Sequence, residues 1–258
     1  SSAASDVYKR QCMHNLQWNN VTIKYVIAGL VNGGSIVTTY WFFMPLYAAY
    51  LAIPLFSAVE KEKRKSVYVY ISVVGFLLNV LIPFAAKFTD WVPYNPGFRL
   101  FVNMSYLFYV VVGWLLHTQE IKRKDRIVIY ILAILGLFTN MIGTYFLSMR
   151  DGTVNKTFNG YNDVPCILYA IGVFVLIKQI APKIMDVKWI RAIVVYLNKY
   201  TFGVYLLHWS VLKAVIRLTR VNEVSLIWRL LSPIGIVAVC VAIIWVIRKI
   251  PVLKHVVP

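Results

Sequence analysis

Apolar residues run through this chain in long blocks, separated by short stretches where charge, glycine and proline collect. Lipid offers no partner to an open backbone, so crossing a hydrocarbon core of about 30 Å takes about 20 mostly apolar residues in helical form. Seven blocks qualify, at about 37–58, 66–86, 98–117, 126–148, 162–181, 196–217 and 225–248. Ahead of them Val21–Val31 is apolar but too short to span, and it is expected to lie along the interface before the Asn32-Gly33-Gly34 break. The pattern predicts an all-α fold, a polytopic membrane helix bundle of about seven transmembrane helices forming one domain over 12–258. No internal repeat, low-complexity tract or soluble second domain interrupts it.

Composition agrees. Apolar and aromatic residues make up 60% of the 258 positions and charged residues only 14%, where a soluble domain has about a quarter charged. Mean hydropathy is +0.68. The net charge of +17 raises the question of nucleic acid, but the basic residues fall in short clusters between the apolar blocks, as membrane topology requires. Nucleic acid is therefore excluded as a partner and the lipid bilayer takes its place. Lys61, Lys63, Arg64 and Lys65 follow the first block, and Lys122, Arg123, Lys124 and Arg126 the third. Lys183, Lys188 and Arg191 follow the fifth, and Arg248, Lys249 and Lys254 the seventh. The alternate loops are poorer in cations, so these clusters are expected in the cytoplasm, with the C-terminus inside and 87–97, 149–161 and 218–224 outside. Trp41, Trp91, Tyr94, Tyr161, Trp189, Tyr196 and Trp228 stand near the expected interfaces, where amphipathic rings are comfortable.

The first residues, Ser1 to about Gln11, have a different texture and precede no apolar signal core. They are read as an artefactual, non-native leader, which carries the expectation that the native protein begins further upstream. Cys12, Cys166 and Cys240 lie far apart with no CxxC pair, so neither a disulfide framework nor a zinc site is expected.

Polar groups inside the blocks are the candidates for chemistry, because hydrocarbon makes them costly unless they face a partner or a cavity. The second block carries Ser72, Gly75, Asn79 and Pro83 along one face, and Pro83, lacking an N–H, is expected to kink it. The fourth carries Gly136, Asn140, Gly143, Thr144 and Ser148 at spacings of three and four, a stripe that fits close helix packing or a polar path. In the sixth, Thr201, Tyr205 and His208 stand at i, i+4 and i+7 on one face. His208 reads either as a packed, hydrogen-bonded imidazole or as the lining of a substrate tunnel. His117, beside Glu120 at a helix end, reads as interfacial. The basic clusters on the inner side fit topology alone or the phosphates of a nucleotide-like donor. On the outer side Arg150, Lys156, Lys213, Arg217 and Arg220 form a basic patch that fits headgroup contact or an anionic glycan. No serine-nucleophile motif, HExxH or phosphate loop is present.

Three of these stretches carry a resemblance. KYTFGVYLLHWSVLK (Lys199–Lys213) is similar to the penultimate helix of the acyltransferase-3 family of membrane O-acyltransferases, where a Ser/Thr-Phe-Gly-Ile-Tyr-Leu-(Ile/Leu)-His phrase is typical. TTYWFFMPLYAAYLAIPLF (Thr38–Phe56) resembles that family's Leu-Trp-Phe-Leu-Tyr…Tyr-Leu…Pro-Leu helix, and FNGYNDVPCILYAIGVFVLIK (Phe158–Lys178) its Gly-Tyr…Ala-Ile-Gly-Leu-Phe-Leu helix. Order and spacing fit across roughly residues 20–250. The resemblance implies a ten-helix bundle of the plasma membrane, of which the seven blocks are the last seven helices. It implies an acyl donor, acyl-CoA and usually acetyl-CoA, on the cytoplasmic side, and an acceptor hydroxyl on a glycan or lipid-linked sugar outside. It implies no bound cofactor and no metal. The family's presumed catalytic motif, an arginine followed about ten residues later by a histidine, and a further arginine pair have no counterpart here. His14 follows no arginine at that spacing. An N-terminal truncation would account for both absences, with the catalytic residues upstream and the chain inactive alone. His208, Tyr205, Thr201, Asn140, Asn79 and Tyr161 would then line the substrate tunnel.

Two rivals follow from the same texture. An exporter or flippase of glycans or lipid-linked sugars needs a polar path but no acyl-CoA. A seven-helix photoreceptor fails, because Ser225–Ile247 has no central lysine for a retinal Schiff base.

Overall fold

The computed structural model describes residues 42–89, 95, 97–100, 106–222 and 225–249. The leader, Val21–Val31, His14, Cys12 and the start of the first block lie outside them. The described chain is helical throughout, without a strand, and falls into two compact units, Trp41–Ala181 and one that takes up the chain from Pro182.

In the first unit the helices are α1 (Phe43–Ser57), α2 (Lys61–Ala85), α3 (Tyr106–Thr118), α4 (Arg123–Asp151) and α5 (Val164–Met185), whose last turn passes into the second unit. The ends of α4 are set by charge and conformation. Asp125 stands in its first turn, Arg150 in its last, and Gly152 closes it in the left-handed region at φ 63°. These placements complement the helix dipole and satisfy a terminus no β-carbon favours. The C-terminus of α3 is capped from a distance. Lys178 Nζ on α5 donates to the carbonyls of Leu116, His117 and Gln119 at 2.7, 2.9 and 2.9 Å.

The sequence-predicted irregularity before Pro83 is a π-turn, Leu77–Leu81, inside α2. The Ile82 N–H reaches the Leu77 carbonyl five residues back, so the backbone widens just ahead of the proline. Val80 from this turn is buried with Phe108 of α3 and Ile167 of α5, and Phe76, Tyr109, Val112, Val164 and Ile171 pack around them. Between α4 and α5 the contact is made by small residues. A β-carbon on Gly172 would stand 2.2 Å from Ala133 Cβ, and one on Gly136 would stand 2.7 Å from the Pro165 carbonyl oxygen. The stripe on α4 is thus a packing face. Gly143 lies under the Phe158 ring, and Ser148 Oγ accepts from the Asn155 N–H at 2.9 Å.

The second unit contains α6 (Lys188–Asn198), α7 (Thr201–Thr219) and α8 (Leu226–Lys249). The sixth apolar block is therefore divided. Tyr196–Asn198 belong to a short amphipathic helix, and a turn at Lys199–Tyr200 separates it from α7. Thr201 Oγ1 donates back to the Asn198 carbonyl at 3.0 Å across that turn. α7 and α8 pair through Tyr200 and Ile244 at one end and Val211, Ile236 and Cys240 further along. Arg248 closes the pair, donating to the Lys199 carbonyl at 2.8 Å with its guanidinium 4.9 Å from the Tyr200 ring centre.

Among the described residues four helices are long and apolar enough to cross a membrane: Lys61–Ala85, Arg123–Asp151, Val164–Met185 and Leu226–Lys249. α1 and α3 are apolar but shorter, at 15 and 13 residues, and seven spans are not established. Large apolar side chains face outward along the helices, with Leu55 75% and Ile234 71% exposed. In water that surface would aggregate, and in lipid it is a solvent-facing surface like any other.

Candidate functional site

Two polar places were expected to carry chemistry, one on α7 and one among α2, α4 and the following loop. They fall in different units.

On α7 the face bearing Thr201, Tyr205 and His208 divides by role. Thr201 is committed to the α6–α7 turn. Tyr205 and His208 remain together, with ring centres 5.8 Å apart. His208 is half-buried, and its Nδ1 faces two carbonyl oxygens of its own helix, Tyr205 O at 2.6 Å and Val204 O at 3.2 Å. Carbonyl oxygens only accept, so the proton of the neutral ring sits on Nδ1. Nε2 is then the basic nitrogen, turned away from the helix backbone. This is the packed, hydrogen-bonded imidazole, with Nε2 not used by the helix backbone.

In the first unit Asn79, Asn140 and Tyr161 act on loops. Asn79 makes a closed pair with the backbone of Leu100, Nδ2 to its carbonyl at 3.0 Å and Oδ1 from its N–H at 2.9 Å. Asn140 Nδ2 donates to the Phe158 carbonyl at 2.6 Å. The Tyr161 carbonyl accepts from the Tyr109 hydroxyl, and its exposed ring lies 6.4 Å from that of Tyr106. Replacing Asn79 by leucine keeps volume but leaves the Leu100 N–H and carbonyl without these partners. The expected loss is about 1–2 kcal/mol, read as a lower thermal midpoint in detergent with faster hydrogen exchange over 97–100.

The centre of this network is a pair that pattern reasoning passed over. Asp163, just before α5, is buried and uses both carboxylate oxygens, Oδ1 toward Lys87 Nζ at 2.5 Å and Oδ2 from the Gly160 N–H at 2.9 Å. Lys87 also reaches the Thr157 carbonyl at 3.1 Å and lies 5.6 Å from the Phe84 ring centre. Phe84 in turn packs on Phe88 and Phe158, whose rings stack at 5.3 Å. Lys87 reads in sequence as a loop-flanking cation. The only signal available was an acid in the Gly-Tyr-Asn-Asp approach to an apolar helix.

The residues of the expected basic patch belong to both units. Arg150 pairs with its neighbour Asp151 at 2.9 Å in the first unit. Arg217 and Arg220 are exposed at the end of α7 in the second, where Arg220 closes the helix at φ 50°. Among the described residues no group of three or more His, Cys, Asp or Glu side chains is placed to hold a metal.

The family model for an acyltransferase domain, of the acyltransferase-3 type, matches residues 6–248. The chain belongs to the acyltransferase-3 family. No significant match to a curated protein or to a solved structure was found. As an acyltransferase-3 protein this chain is a multi-pass membrane acyltransferase in its general class, and lipid is its surroundings. The three stretches that resemble the family now have places. Phe158–Lys178 contains the loop held by Asn140 and the α5 face against α4, Lys199–Lys213 carries His208, and the described part of Thr38–Phe56 is α1.

Proposed function

We propose that this acyltransferase moves an acyl group, acetyl in the first instance, from cytoplasmic acyl-CoA to a hydroxyl of a glycan or lipid-linked sugar outside the plasma membrane. The C-terminus and the clusters at Lys61–Lys65 and Lys122–Arg126 stand in the cytoplasm in this reading, supported by the alternation of basic and poorer loops. The observation that carries the reading, beside family membership, is His208. Its Nδ1–H is fixed by the Tyr205 and Val204 carbonyls, and its basic Nε2 is held on a helix of the bundle.

O-acyl transfer has the hydroxyl oxygen attack the thioester carbon, with the hydroxyl proton removed and thiolate expelled. A positioned base and donors for the developing oxyanion lower that barrier. No arginine stands about ten residues before His117 or His208, so neither is assigned as the base in this reading. Nε2 of His208 accepts a hydrogen bond from the hydroxyl on its way to that base. Tyr205 flanks it on the same helix face.

In membrane vesicles carrying the protein, His208→Ala is expected to lower acetyl transfer from labelled acetyl-CoA about tenfold, the worth of one positioned hydrogen bond. Protein level and thermal midpoint should stay as in the parent. Undiminished turnover would remove His208 from the path. Glycan export that proceeds without any acyl-CoA would put the exporter in place of the enzyme.

A further inference from the structure

A cavity of about 140 Å³ lies between α1, α2 and α3 at the end where Lys61, Lys63, Arg64 and Lys65 cluster. Ala49, Ile53 and Val110 supply its apolar wall, and Tyr68 and Trp114 its aromatic one, their ring centres 4.8 Å apart and edge to face. The Tyr68 hydroxyl is spent on the Phe56 carbonyl at 2.8 Å.

Arg64 is the sole charged group among the lining residues. Its Nη2 donates to the carbonyls of Ser57 and Val59 at 2.8 and 2.9 Å, which uses both protons on that nitrogen. Nε is shut away from solvent with no acceptor, and Nη1 has none among the described residues. The neighbouring acid, Glu60, is paired with Lys63 at 2.8 Å. The two protons on Nη1 are therefore uncommitted and open to a ligand, on a cation with no carboxylate against it. Buried guanidinium N–H groups normally find acceptors, and their preferred ones are the oxygens of phosphates and carboxylates.

An oxyanion attached to an apolar chain satisfies every feature of the place. The oxyanion meets Arg64 and the field of Lys61 and Lys65, and the chain lies along Ile53 and Val110. A membrane supplies that chemistry in phospholipids with a net negative headgroup, which basic pockets between helices select. We propose that this cavity binds an anionic phospholipid, its phosphate on Arg64. No carboxylate among the lining residues is placed to receive the ammonium of a zwitterionic headgroup, so the site discriminates by charge. The assignment stands independently of acyl transfer.

The test is lipid retention by the whole chain, measured by native mass spectrometry from mixed micelles of phosphatidylglycerol and phosphatidylcholine. Phosphatidylglycerol should be retained preferentially, and Arg64→Gln should weaken its retention about tenfold, the loss of a charge-assisted hydrogen-bond set. Because Arg64 also ties down the turn at Ser57–Val59, Ala49→Leu is the companion variant. It fills the cavity, leaves the guanidinium in place and should give the same loss, while Lys188→Ala on α6 should give none. Equal retention of the two lipids, or unchanged phosphatidylglycerol binding in Ala49→Leu, overturns the proposal. Displacement of the bound lipid by soluble acyl-CoA also overturns it, by giving the cavity to a thioester.

Discussion

Gly172→Ala is expected to destabilise the protein by about 3 kcal/mol, although a single methyl in the middle of a helix normally helps. Its β-carbon would stand 2.2 Å from Ala133 Cβ, and carbon atoms in contact rest at about 3.5–4.0 Å. One helix must move by over ~1 Å at that crossing. Such a shift is expensive because α4 cannot retreat alone. Three residues along its stripe, Gly136 is already against the Pro165 carbonyl and Leu168 Cβ, so moving α4 away at Ala133 undoes that contact too. In lipid no hydrophobic driving force recloses the gap, since the chains outside are as apolar as the side chains within. The measurement is the thermal or denaturant midpoint in bicelles. The decisive arm is the swap, Gly172→Ala with Ala133→Gly, which removes the obstructing atom. Ala133→Gly alone should cost about 1 kcal/mol through helix propensity, and the double variant should recover about 2 kcal/mol relative to additivity. A Gly172→Ala protein as stable as the parent, or a swap that rescues nothing, would show that the crossing is not tight.

What was legible beforehand follows from which forces write themselves into sequence. The hydrophobic blocks at 66–86, 126–148, 162–181 and 225–248 became the four long helices because length and apolarity alone decide whether a segment can cross. Pro83 announced an irregularity because a missing N–H is a property of one residue, though not that a π-turn would absorb it. The small-residue stripe on α4 was visible as a spacing, and its role as a packing face needed its partner, α5. The break at Lys199–Tyr200 was not legible. No proline marks it, and its only local signal, the polar pair Asn198-Lys199, reads equally well as the charged edge of a single span beginning there. Asn79 and Asn140 were found as costly polar residues inside helices, but their partners are main-chain groups 21 and 18 residues away, which no side-chain pattern reports. Lys87 with Asp163 was missed for a related reason. The two lie 76 residues apart, and each alone looks like an ordinary charge at a helix end.

That pair gives the second large effect. Asp163→Ala is expected to cost about 2–3 kcal/mol and to free the loop that carries Phe158 and Tyr161. Breaking a fully buried ion pair costs about 3–5 kcal/mol. The Asp163 side chain is 10% exposed but that of Lys87 is 37%, so water recovers part of the loss on the lysine side. The remaining cost has two parts. Lys87 loses its counter-charge and keeps the Thr157 carbonyl, and the Gly160 N–H loses the oxygen that fixes the approach to α5. Asp163→Asn separates them, because an amide oxygen can still accept from Gly160 while the charge is gone, and it should lose only about half as much. Lys87→Met should fall between the two, since it leaves the buried carboxylate with Gly160 alone. Hydrogen exchange over 152–163 is the measurement that distinguishes a local release from global unfolding. Exchange should accelerate there in all three variants and stay unchanged in α8, which belongs to the other unit. Should Asp163→Ala leave both the midpoint and the loop's exchange untouched, the ion pair would be a surface contact of the ordinary weak kind, and the loop's order would have to come from Asn140 and the phenylalanine stack.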